Sequence, residues 1–438
     1  MDLFTTIALY ILALFILIFS GMPIAFGLGL LAVGSLFLSF GTDMALSLAF
    51  IAWSSLANFI IVSIPLFVFM GYLLFETGLS KRIYSGIYPL MDRLLPGGLL
   101  HSNIVIGAAF AACSGSSLAS CATIGSVALP EMEARGYDRN IAVGSVAAGS
   151  TLGILIPPSI TLIIFGIMTE VSIGKLFIGG IIPGLVLVGA YMTYIAVRIK
   201  IQPALIATDA SAGPKPSTGE AIVALLKIWP VLVLIIGVLG SIYAGIATAT
   251  EAAAIGCSLV FLLAASHRLL SFDALRRAIK KTIGTSSMIL VIYLSGKLMQ
   301  IYLSNAGIIR DLSASVIDMG LPAMATLVGI MIMYLILGML MDGLSMTVMT
   351  LPITFPIVMA LGFDPVWFGV IQTMLIEVGL LTPPVGVNLF ILQGLRPDLP
   401  FNEIVRGCAP FFFVLLAVIL VMVAFPQLIT FLPGILMP

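Results

Sequence analysis

About a dozen apolar runs follow one another along this chain of 438 residues, and this succession limits what the chain can fold into. A helix needs roughly 20 apolar residues to cross the hydrocarbon core of a bilayer. Strands of a membrane barrel would instead alternate over segments of about ten residues. We therefore predict an all-α polytopic protein of the lipid bilayer, with apolar runs near 4–20, 22–40, 50–75, 101–130, 140–168, 176–197, 228–243, 246–266, 282–303, 323–359, 366–393 and 408–432.

The composition of the chain agrees with a membrane protein and excludes other classes. Hydrophobic residues make up 61% and charged residues 9%, whereas soluble domains average about 25% charged residues. The formal net charge is zero, so we expect no nucleic-acid partner, which would require a clustered basic excess. The cysteines lie in or beside apolar runs, and we expect them to be core residues rather than disulfides.

An internal duplication divides the chain into two halves. Sliding the sequence by 226 residues aligns 134–158 with 360–384, and seven of these 25 positions are identical. Both segments carry Gly-x-Leu-x-Pro-Pro, at 153–158 and 379–384. We predict a first repeat at about 1–200, a cytoplasmic linker at 201–225 and a second repeat at about 226–438.

The duplicated motif contains two adjacent prolines in each copy. Proline removes a backbone donor and clashes with the preceding turn of a helix. The helices predicted at about 140–168 and 366–393 should therefore break near 153–159 and 379–386. Broken backbone survives at membrane depth only against protein or a water-filled cavity, and inverted-repeat transporters place such breaks at the substrate and ion site.

A small polar stretch interrupts a long apolar run about 40 residues before each break. The first stretch, 113–120, is rich in serine, and the second, 338–347, contains Asp342. A carboxylate at this depth is costly unless it is paired, ion-bound or exposed to water. We predict re-entrant helical hairpins at about 101–133 and 323–359 with their tips near the midplane; a packing face of small residues is the alternative for the first.

Counting the segments gives the expected topology. With one hairpin and about five crossings per repeat, the number of crossings is odd, and the second repeat is inverted relative to the first. This arrangement puts sixteen lysine and arginine residues on one side and two on the other, with Lys297 inside a span. The positive-inside rule then assigns the basic side to the cytoplasm and both termini to the outside.

Four motifs along the chain resemble those of a known transporter family. They are Ser114-Gly115-Ser116-Ser117, Gly-Ile-Leu-Ile-Pro-Pro-Ser at 153–159, Gly-Gly-Ile-Ile-Pro-Gly at 179–184 and Thr-Pro-Pro-Val-Gly-Val-Asn at 382–388. Together they are similar to the large membrane subunit of TRAP transporters, the tripartite ATP-independent periplasmic transporters, which include sialic acid and C4-dicarboxylate permeases. The resemblance covers nearly the whole chain.

The resemblance implies a function, partners and a location. It implies a sodium-coupled symporter that imports a carboxylate-bearing organic acid, such as sialic acid or a C4-dicarboxylate, delivered by a periplasmic substrate-binding protein. A small four-helix membrane subunit would be a separate partner, and the complex would lie in the bacterial inner membrane with both termini in the periplasm. It also implies an elevator architecture, in which a transport domain carrying the hairpins and broken helices moves against a scaffold that includes segments 80–95 and 267–281.

Two sodium sites are expected where the hairpin tips meet the breaks, so we expect at least two Na⁺ ions. Carbonyls freed by the prolines, together with hydroxyl groups, would supply the oxygen ligands. The first site would contain Ser114, Ser116, Ser117, Gly153, Ile156 and Pro157. The second site would contain Met341, Asp342, Gly343, Gly379, Thr382 and Pro384.

An organic anion needs donors at the midplane, where Lys297 is the one basic candidate within a span. Half-helix N-termini and bound sodium ions would supply the balancing charge instead. The substrate would then lie between the tips and the breaks, lined by Ser116, Ser159, Asp342 and Asn388. A direct role of Lys297 and a scaffold role are both left open. Glu377 is not counted among the residues of the sites, and its pairing with a hydroxyl or with Lys297 is left as an alternative.

An intramembrane protease and a channel are the alternative functions. A serine protease would need a histidine near Ser116 or Ser117, and His101 and His267 lie near predicted helix ends. An aspartyl protease would need a second intramembrane aspartate beside Asp342. We therefore expect a transporter and not an enzyme. A channel would transport without dependence on sodium.

Overall fold

The computed structural model of the chain describes residues 20–41, 44–206 and 228–437, together with positions 9, 12, 13, 16, 17 and 219. These residues form helices and turns with no strand among them, which confirms the all-helical prediction. Six of their helices are long and apolar enough to cross a membrane. Most of the apolar run predicted at 4–20 and most of the linker predicted at 201–225 lie outside the described residues.

The first half contains nine helices within its described part, and a turn of 3-10 helix (Leu152–Ile154) follows the seventh. In chain order they are α1 (Ile24–Phe40), α2 (Met44–Leu56), α3 (Ser63–Glu76), α4 (Leu79–Leu94), α5 (Gly98–Ser114), α6 (Ser117–Ala134), α7 (Arg139–Thr151), α8 (Ile160–Thr169) and α9 (Ile173–Ile201).

The described part of the second half follows the same order. Its helices are α10 (Trp229–Tyr243), α11 (Ala249–Ser266), α12 (Phe272–Asn305), α13 (Ile308–Asp318), α14 (Ala323–Gly338), α15 (Gly343–Ala360), α16 (Pro365–Leu380), α17 (Val387–Leu395), α18 (Phe401–Ala424) and α19 (Gln427–Leu436). A turn of π-helix at Ile236–Gly240 interrupts α10.

Most helices of the two halves match at the offset of 226 residues, although the single helix α12 spans the positions equivalent to both α2 and α3. Helix α6 runs from Ser117 to Ala134, and α15 runs from Gly343 to Ala360, so both of their ends are offset by this number. Residues separated by 226 positions are called repeat counterparts below. The duplication seen in the sequence is therefore also a duplication of secondary structure.

Side-chain caps fix where the paired helices begin. The carboxylate of Asp138 accepts N–H groups at the start of α7, and its repeat counterpart Asp364 does the same for α16. A cap satisfies backbone donors that have no partner within the helix, and its loss costs about 1 kcal/mol. Asp138 and Asp364 are identical in the two repeats because both begin a helix.

Helices α5–α8 and α14–α17, which carry the hairpin tips and the breaks, are called the inner group below. Glycine allows two of them, α5 and α7, and the neighbouring helix α18 to lie in backbone contact. A Cβ atom on Gly107 of α5 would lie 2.0 Å from the carbonyl oxygen of Gly149 in α7. One on Gly144 of α7 would lie 2.1 Å from the carbonyl oxygen of Gly407 in α18. Small residues permit such approaches in membranes, where packing drives the association of helices. Asn103 adds a polar contact by donating to Ser145 over 2.9 Å.

Helices α3 and α12 form the centre of a second group of helices, called the outer group below. They pack on each other, α1 packs on α12, and α11 packs on α3, so these contacts obey the repeat. The carboxylate of Glu76 joins α3 to α12 by accepting from Arg277 over 2.7 Å and from Lys281 over 2.6 Å. Apolar side chains on this group are widely exposed, for example Phe272 at 80% and Trp53 at 74%, as a surface facing lipid requires.

The contacts between the two groups do not obey the repeat. Helix α3 packs on α5, the hairpin arm before the first tip. Its counterpart α12 packs chiefly on α15, the hairpin arm after the second tip. Helix α4 also packs on α5, whereas its counterpart α13 packs on α15. Within the inner group the repeat is kept, because α5 packs on α7 as α14 packs on α16. Each group is therefore internally symmetric, and their interface is not.

A cluster of charges joins the ends of the two repeats. Arg396, which follows α17, pairs with Glu133 of α6 over 3.1 Å and with Asp398 over 2.7 Å. Arg139 pairs with the same Glu133 carboxylate over 3.0 Å. The hydrogen bond from Arg396 lowers the pKa of Asp398 to about 2. Asp398 therefore stays charged at physiological pH and remains a partner of Arg396.

Candidate functional site

Four helices begin at the hairpin tips and at the Pro-Pro breaks. The first tip (residues 114–117) precedes α6, and the second tip (residues 339–343) precedes α15. The first break (residues 152–159) precedes α8, and the second break (residues 381–386) precedes α17. The bonds Pro157-Pro158 and Pro383-Pro384 are both cis. The N-terminus of a helix carries a partial positive charge and free N–H groups, so this region can hold anionic groups.

The first tip lies directly on the first break. A Cβ on Gly153 would lie 3.0 Å from the backbone of both Ser116 and Ser117. One on Gly115 would lie 2.7 Å from the carbonyl oxygen of Pro158. The structure therefore brings together Gly153, Ser116 and Ser117, which were predicted to belong to the first ion site. The side chain of Ile156 lies against α9 at Gly184, so only its backbone can serve the site.

The hydroxyls of the first tip are partly engaged within the tip. Ser116 caps α6, its Oγ accepting from the N–H of Ala119 over 3.4 Å. Ser114 donates to the carbonyl of Phe110 over 2.9 Å. A serine Oγ has two lone pairs, so both hydroxyls retain acceptor capacity for a cation.

The second tip lies on the second break in the same manner. The N–H of Val385 donates to the carbonyl of Met339 over 3.0 Å. A Cβ on Gly379 would lie 2.6 Å from the carbonyl oxygen of Gly338. Thr382 donates its hydroxyl to the carbonyl of Val378. Asp342 caps α15, its Oδ1 accepting from Leu344 over 3.1 Å and from Ser345 over 3.0 Å.

Asp342 and Ser116 are repeat counterparts with the same local role. Each is the residue before the first turn of a hairpin arm, and each accepts backbone N–H groups there. The carboxylate gives the second tip a formal negative charge that the hydroxyl does not give the first. The two predicted ion sites therefore share a geometry and differ in charge.

Asn388 links the second break to the first repeat. Its side-chain amide donates to Ser117 over 2.9 Å and to Ser150 over 3.2 Å. The residue is fully buried, and its backbone carbonyl accepts a weak hydrogen bond from the thiol of Cys121 at 3.8 Å. Of the predicted substrate residues, Asn388 thus lies beneath the first tip rather than on an open surface.

Ser159 is also used inside the fold. It is fully buried, it donates to the carbonyl of Ile154, and its Oγ accepts from the N–H of Leu162 over 3.4 Å. It therefore closes the first break and caps α8. Ser116 and Asp342 are only partly buried, and they are the two predicted substrate residues whose side chains keep access to the surface.

The second break is more open than the first. Pro384 is exposed, and Thr382, Val385 and Val387 are partly exposed. No side chain caps α17, which begins after Gly386 in the left-handed region at φ 46°. Because the first N–H groups of α17 have no side-chain acceptor, this helix end offers donors to a carboxylate.

Glu377 lies one turn before the second break and is fully buried. Neither carboxylate oxygen has a hydrogen-bond partner among the residues that the structure describes. Within the described residues Glu377 therefore forms neither a hydrogen bond to a hydroxyl nor an ion pair with Lys297, whose ammonium donates to Gln300 instead. Its helix, α16, is buried along its length.

Lys297 lies in a different place from the tips. Its ammonium group donates to Gln300 over 3.1 Å. It lines a cavity of about 740 Å³ between α12, the turn before α11 and the junction of α8 with α9. Asn58, Glu170 and Thr248 line the same cavity. Lys297 is thus accessible from a large cavity without being part of either tip.

Two contributors to the site were not predicted from the sequence. Gly71 of α3 lies against the first tip, since a Cβ there would be 3.1 Å from the Cα of Ser114. Ser150 of α7 binds the amide of Asn388. A glycine inside an apolar run is a weak signal for such a contact. Ser150 lies in a run of small residues, and nothing in the sequence around it signals its bond to Asn388.

A sequence model of the family described as tripartite ATP-independent periplasmic transporter, DctM component, matches residues 11–428. The isethionate TRAP transporter permease protein DctMQ of Oleidesulfovibrio alaskensis is 34% identical over 435 residues, and the chain spans 65% of that protein's length and 96% of its own. The C4-dicarboxylate TRAP transporter large permease protein DctM of Pseudomonas aeruginosa is 32% identical over 91% of each chain. The sialic acid TRAP transporter large permease protein SiaM of Vibrio cholerae is 29% identical over 95% of this chain and 96% of that one.

Solved structures of two transporters share the fold. The YdaH transporter of Alcanivorax borkumensis aligns with a TM-score of 0.62 at 14% identity, over 89% of this chain and 91% of that chain. MtrF of Neisseria gonorrhoeae aligns with a TM-score of 0.58 at 14% identity, over 88% and 85%. The family match over nearly the whole sequence agrees with the helical architecture. The chain therefore belongs to the DctM family of tripartite ATP-independent periplasmic transporters, and it is a multi-pass membrane permease rather than an enzyme.

Proposed function

We propose that this permease is a sodium-coupled symporter that imports an organic anion by alternating access. The observation that carries the proposal is that each hairpin tip lies against the Pro-Pro break of its own repeat, so that two helix N-termini meet in each repeat. Asn388 bonds the second break to the first tip. Such sites hold coupling ions and substrate in transporters built from inverted repeats.

Sodium is proposed to bind once in each repeat. Pro157 and Pro383 have no N–H group, so neither can donate to the carbonyl one turn earlier, at Gly153 or Gly379. The carbonyl of Gly379 accepts the N–H of Thr382 over 3.2 Å and keeps a second lone pair. Gly153 and Gly379 lie against the tips, where Ser116 and Asp342 supply side-chain oxygens. Hard monovalent cations prefer such oxygen ligands, and a buried cation stabilises the carboxylate of Asp342.

The substrate is proposed to lie between Ser116, Asp342 and the uncapped N-terminus of α17. Two sodium ions and the carboxylate of Asp342 leave one positive charge, which attracts an anionic substrate. The ions and the anion would therefore bind together better than apart, which couples their fluxes. The named relatives handle isethionate, a C4-dicarboxylate and sialic acid, and the proposed substrate is an anion of this general class.

Alternating access is proposed to occur by movement of the inner group of helices against the outer group. Helices α5–α8 and α14–α17 would be the transport domain, and α1, α3, α4, α11, α12 and α13 the scaffold. The proposal is supported by contacts that obey the repeat within each group and depart from it between them. An asymmetric interface between two symmetric bodies has an equivalent alternative position, which is what an elevator motion requires.

The proposed partners and location follow the family. The family description names a tripartite periplasmic system, so we propose a separate small membrane subunit and a periplasmic binding protein as partners in the bacterial inner membrane. Both termini would be periplasmic, because the basic loops then face the cytoplasm.

Uptake in proteoliposomes tests the proposed function. The permease, its small subunit and its binding protein would be reconstituted, and a panel of isethionate, sialic acid and C4-dicarboxylates would be offered with an inward sodium gradient or with potassium in its place. We expect accumulation of one anion class only with the sodium gradient. Equal uptake with potassium would contradict symport and favour a channel.

A further inference from the structure

Lys297 and Asp342 are charged residues of two otherwise apolar segments, and their repeat counterparts are neighbours. The counterpart of Lys297 is Gly71, and the counterpart of Asp342 is Ser116. Gly71 and Ser116 line one small cavity of about 30 Å³ between α3 and the first tip. The repeat thus places a neutral pair in contact in one half and a pair of opposite charges at the equivalent positions in the other.

The charged pair is apart in the state described. The ammonium of Lys297 donates to Gln300 and faces the 740 Å³ cavity, while the Oδ1 of Asp342 accepts two N–H groups of α15. No ion pair joins them among the described residues. Their separation follows from the asymmetric interface, in which α12 lies on α15, the arm after its tip, whereas α3 lies on α5, the arm before its tip.

Exchanging the interface between the repeats would bring the charges together. In the exchanged state α12 would lie on α14 and the second tip as α3 now lies on α5 and the first tip. The counterparts of Val68, Tyr72 and Phe75, which line the small cavity now, are Leu294, Leu298 and Ile301. Lys297 and Asp342 would then share an apolar cavity, where opposite charges attract more strongly than in water.

We propose that Lys297 and Asp342 form an ion pair in the exchanged state and that this pair stabilises that state. The inference rests on the alternating access proposed above. Pairing offsets the desolvation cost of two charges in an apolar cavity, and removal of one partner leaves the other charge buried and uncompensated. The pair would therefore stabilise the exchanged state alone, because Gly71 and Ser116, which are in contact in the described state, are neutral and offer no such attraction.

Cross-linking between two further counterpart pairs tests the proposal. Phe75 and Ala119 line the small cavity now, and their counterparts are Ile301 and Ser345. Double variants Phe75→Cys with Ala119→Cys and Ile301→Cys with Ser345→Cys would report the described and the exchanged state. They would be made in the reconstituted complex after Cys113, Cys121, Cys257 and Cys408 are replaced by alanine, and treated with a short bifunctional thiol reagent.

We expect Lys297→Met to slow cross-linking of Ile301→Cys with Ser345→Cys by about tenfold or more and to leave the other pair reactive. Lys297→Arg should restore the rate of cross-linking between Ile301→Cys and Ser345→Cys. Asp342→Ser, which keeps a helix cap, should slow it as Lys297→Met does, and the double variant should slow it no further. Reactivity of Phe75→Cys with Ala119→Cys in every variant shows that the protein is folded.

Two results would overturn the proposal and would be distinguishable. If the Ile301→Cys and Ser345→Cys pair cross-links at the same rate with and without Lys297→Met, the ion pair does not exist, although alternating access stands. If this pair never cross-links while the Phe75→Cys and Ala119→Cys pair does, the exchanged state itself is absent, and the proposed alternating access fails with it.

Discussion

The side-chain amide of Asn388 donates a hydrogen bond of 2.9 Å to the hydroxyl of Ser117, across 271 positions of the sequence. The bond joins the helix after the second break to the tip of the first hairpin. Both residues are buried. The two repeats are therefore coupled directly at the point where the ions and the substrate are proposed to bind.

Replacing Asn388 should loosen this connection. In Asn388→Ala the hydroxyls of Ser117 and Ser150 lose their donor, and an unsatisfied buried group costs about 1–3 kcal/mol. We expect a lower unfolding temperature of the purified complex together with weaker uptake. Asn305→Ala, at the exposed end of α12, is the matched control and should change neither. An unchanged unfolding temperature in Asn388→Ala would show that the bond contributes nothing.

Substituting Asp342 by serine should separate its charge from its capping role. Asp342→Ser copies the cap of its counterpart Ser116, so α15 should stay folded. Loss of the carboxylate should raise the sodium concentration for half-maximal uptake by about tenfold, which corresponds to roughly 1.4 kcal/mol. Asp364→Ser changes a similar cap at the outer end of α16 and should leave the sodium dependence unchanged. Equal sodium dependence of the two variants would remove Asp342 from the ion site.

The glycine contact between α5 and α7 should not tolerate a side chain. In Gly149→Ala the added Cβ would lie 2.3 Å from the carbonyl oxygen of Asn103, and overpacking of this kind costs about 1–3 kcal/mol. Gly189→Ala in α9 is the control, because no atom lies within 4 Å of its Cβ position. Thermal unfolding in detergent should show a loss for Gly149→Ala alone. Equal unfolding temperatures would mean that α5 and α7 can separate freely.

Replacing the carboxyl group of Glu377 by an amide should be tolerated. The carboxylate is buried without a hydrogen-bond partner in the described structure, and an unpaired charge at membrane depth costs about 3 kcal/mol on insertion scales. Glu377→Gln keeps the shape of the side chain, so we expect equal or higher stability and sodium-driven uptake within about twofold of the unsubstituted protein. A variant that folds and no longer transports would instead give this acid a part in transport.

Local chemistry made much of the fold predictable. The prolines at 157–158 and 383–384 interrupt their helices because they lack N–H groups, and this holds wherever the helices pack. The helices predicted to begin at about 140 and 366 begin at 139 and 365, where Asp138 and Asp364 cap them. Features of this kind depend on residues close in sequence, and they can be read without the structure.

Contacts between distant segments were less accessible. The partner of Asn388 depends on how α17 crosses the first hairpin, and the position of Lys297 depends on which arm of the second hairpin lies on α12. Gly71 became meaningful only through the close approach of Ser114. The asymmetry of the interface is a property of one conformational state, and two nearly equivalent repeats do not specify which state is adopted.

Equilibrium binding of radioactive sodium to the purified complex tests the central claim most directly. That claim is that the tips and breaks hold the coupling ions, one site in each repeat. We predict about two sodium ions bound per permease, about one in Ser116→Ala at the first tip and about one in Thr382→Ala at the second break. Unchanged binding of two ions in both variants, or no saturable binding in the unsubstituted protein, would contradict the account.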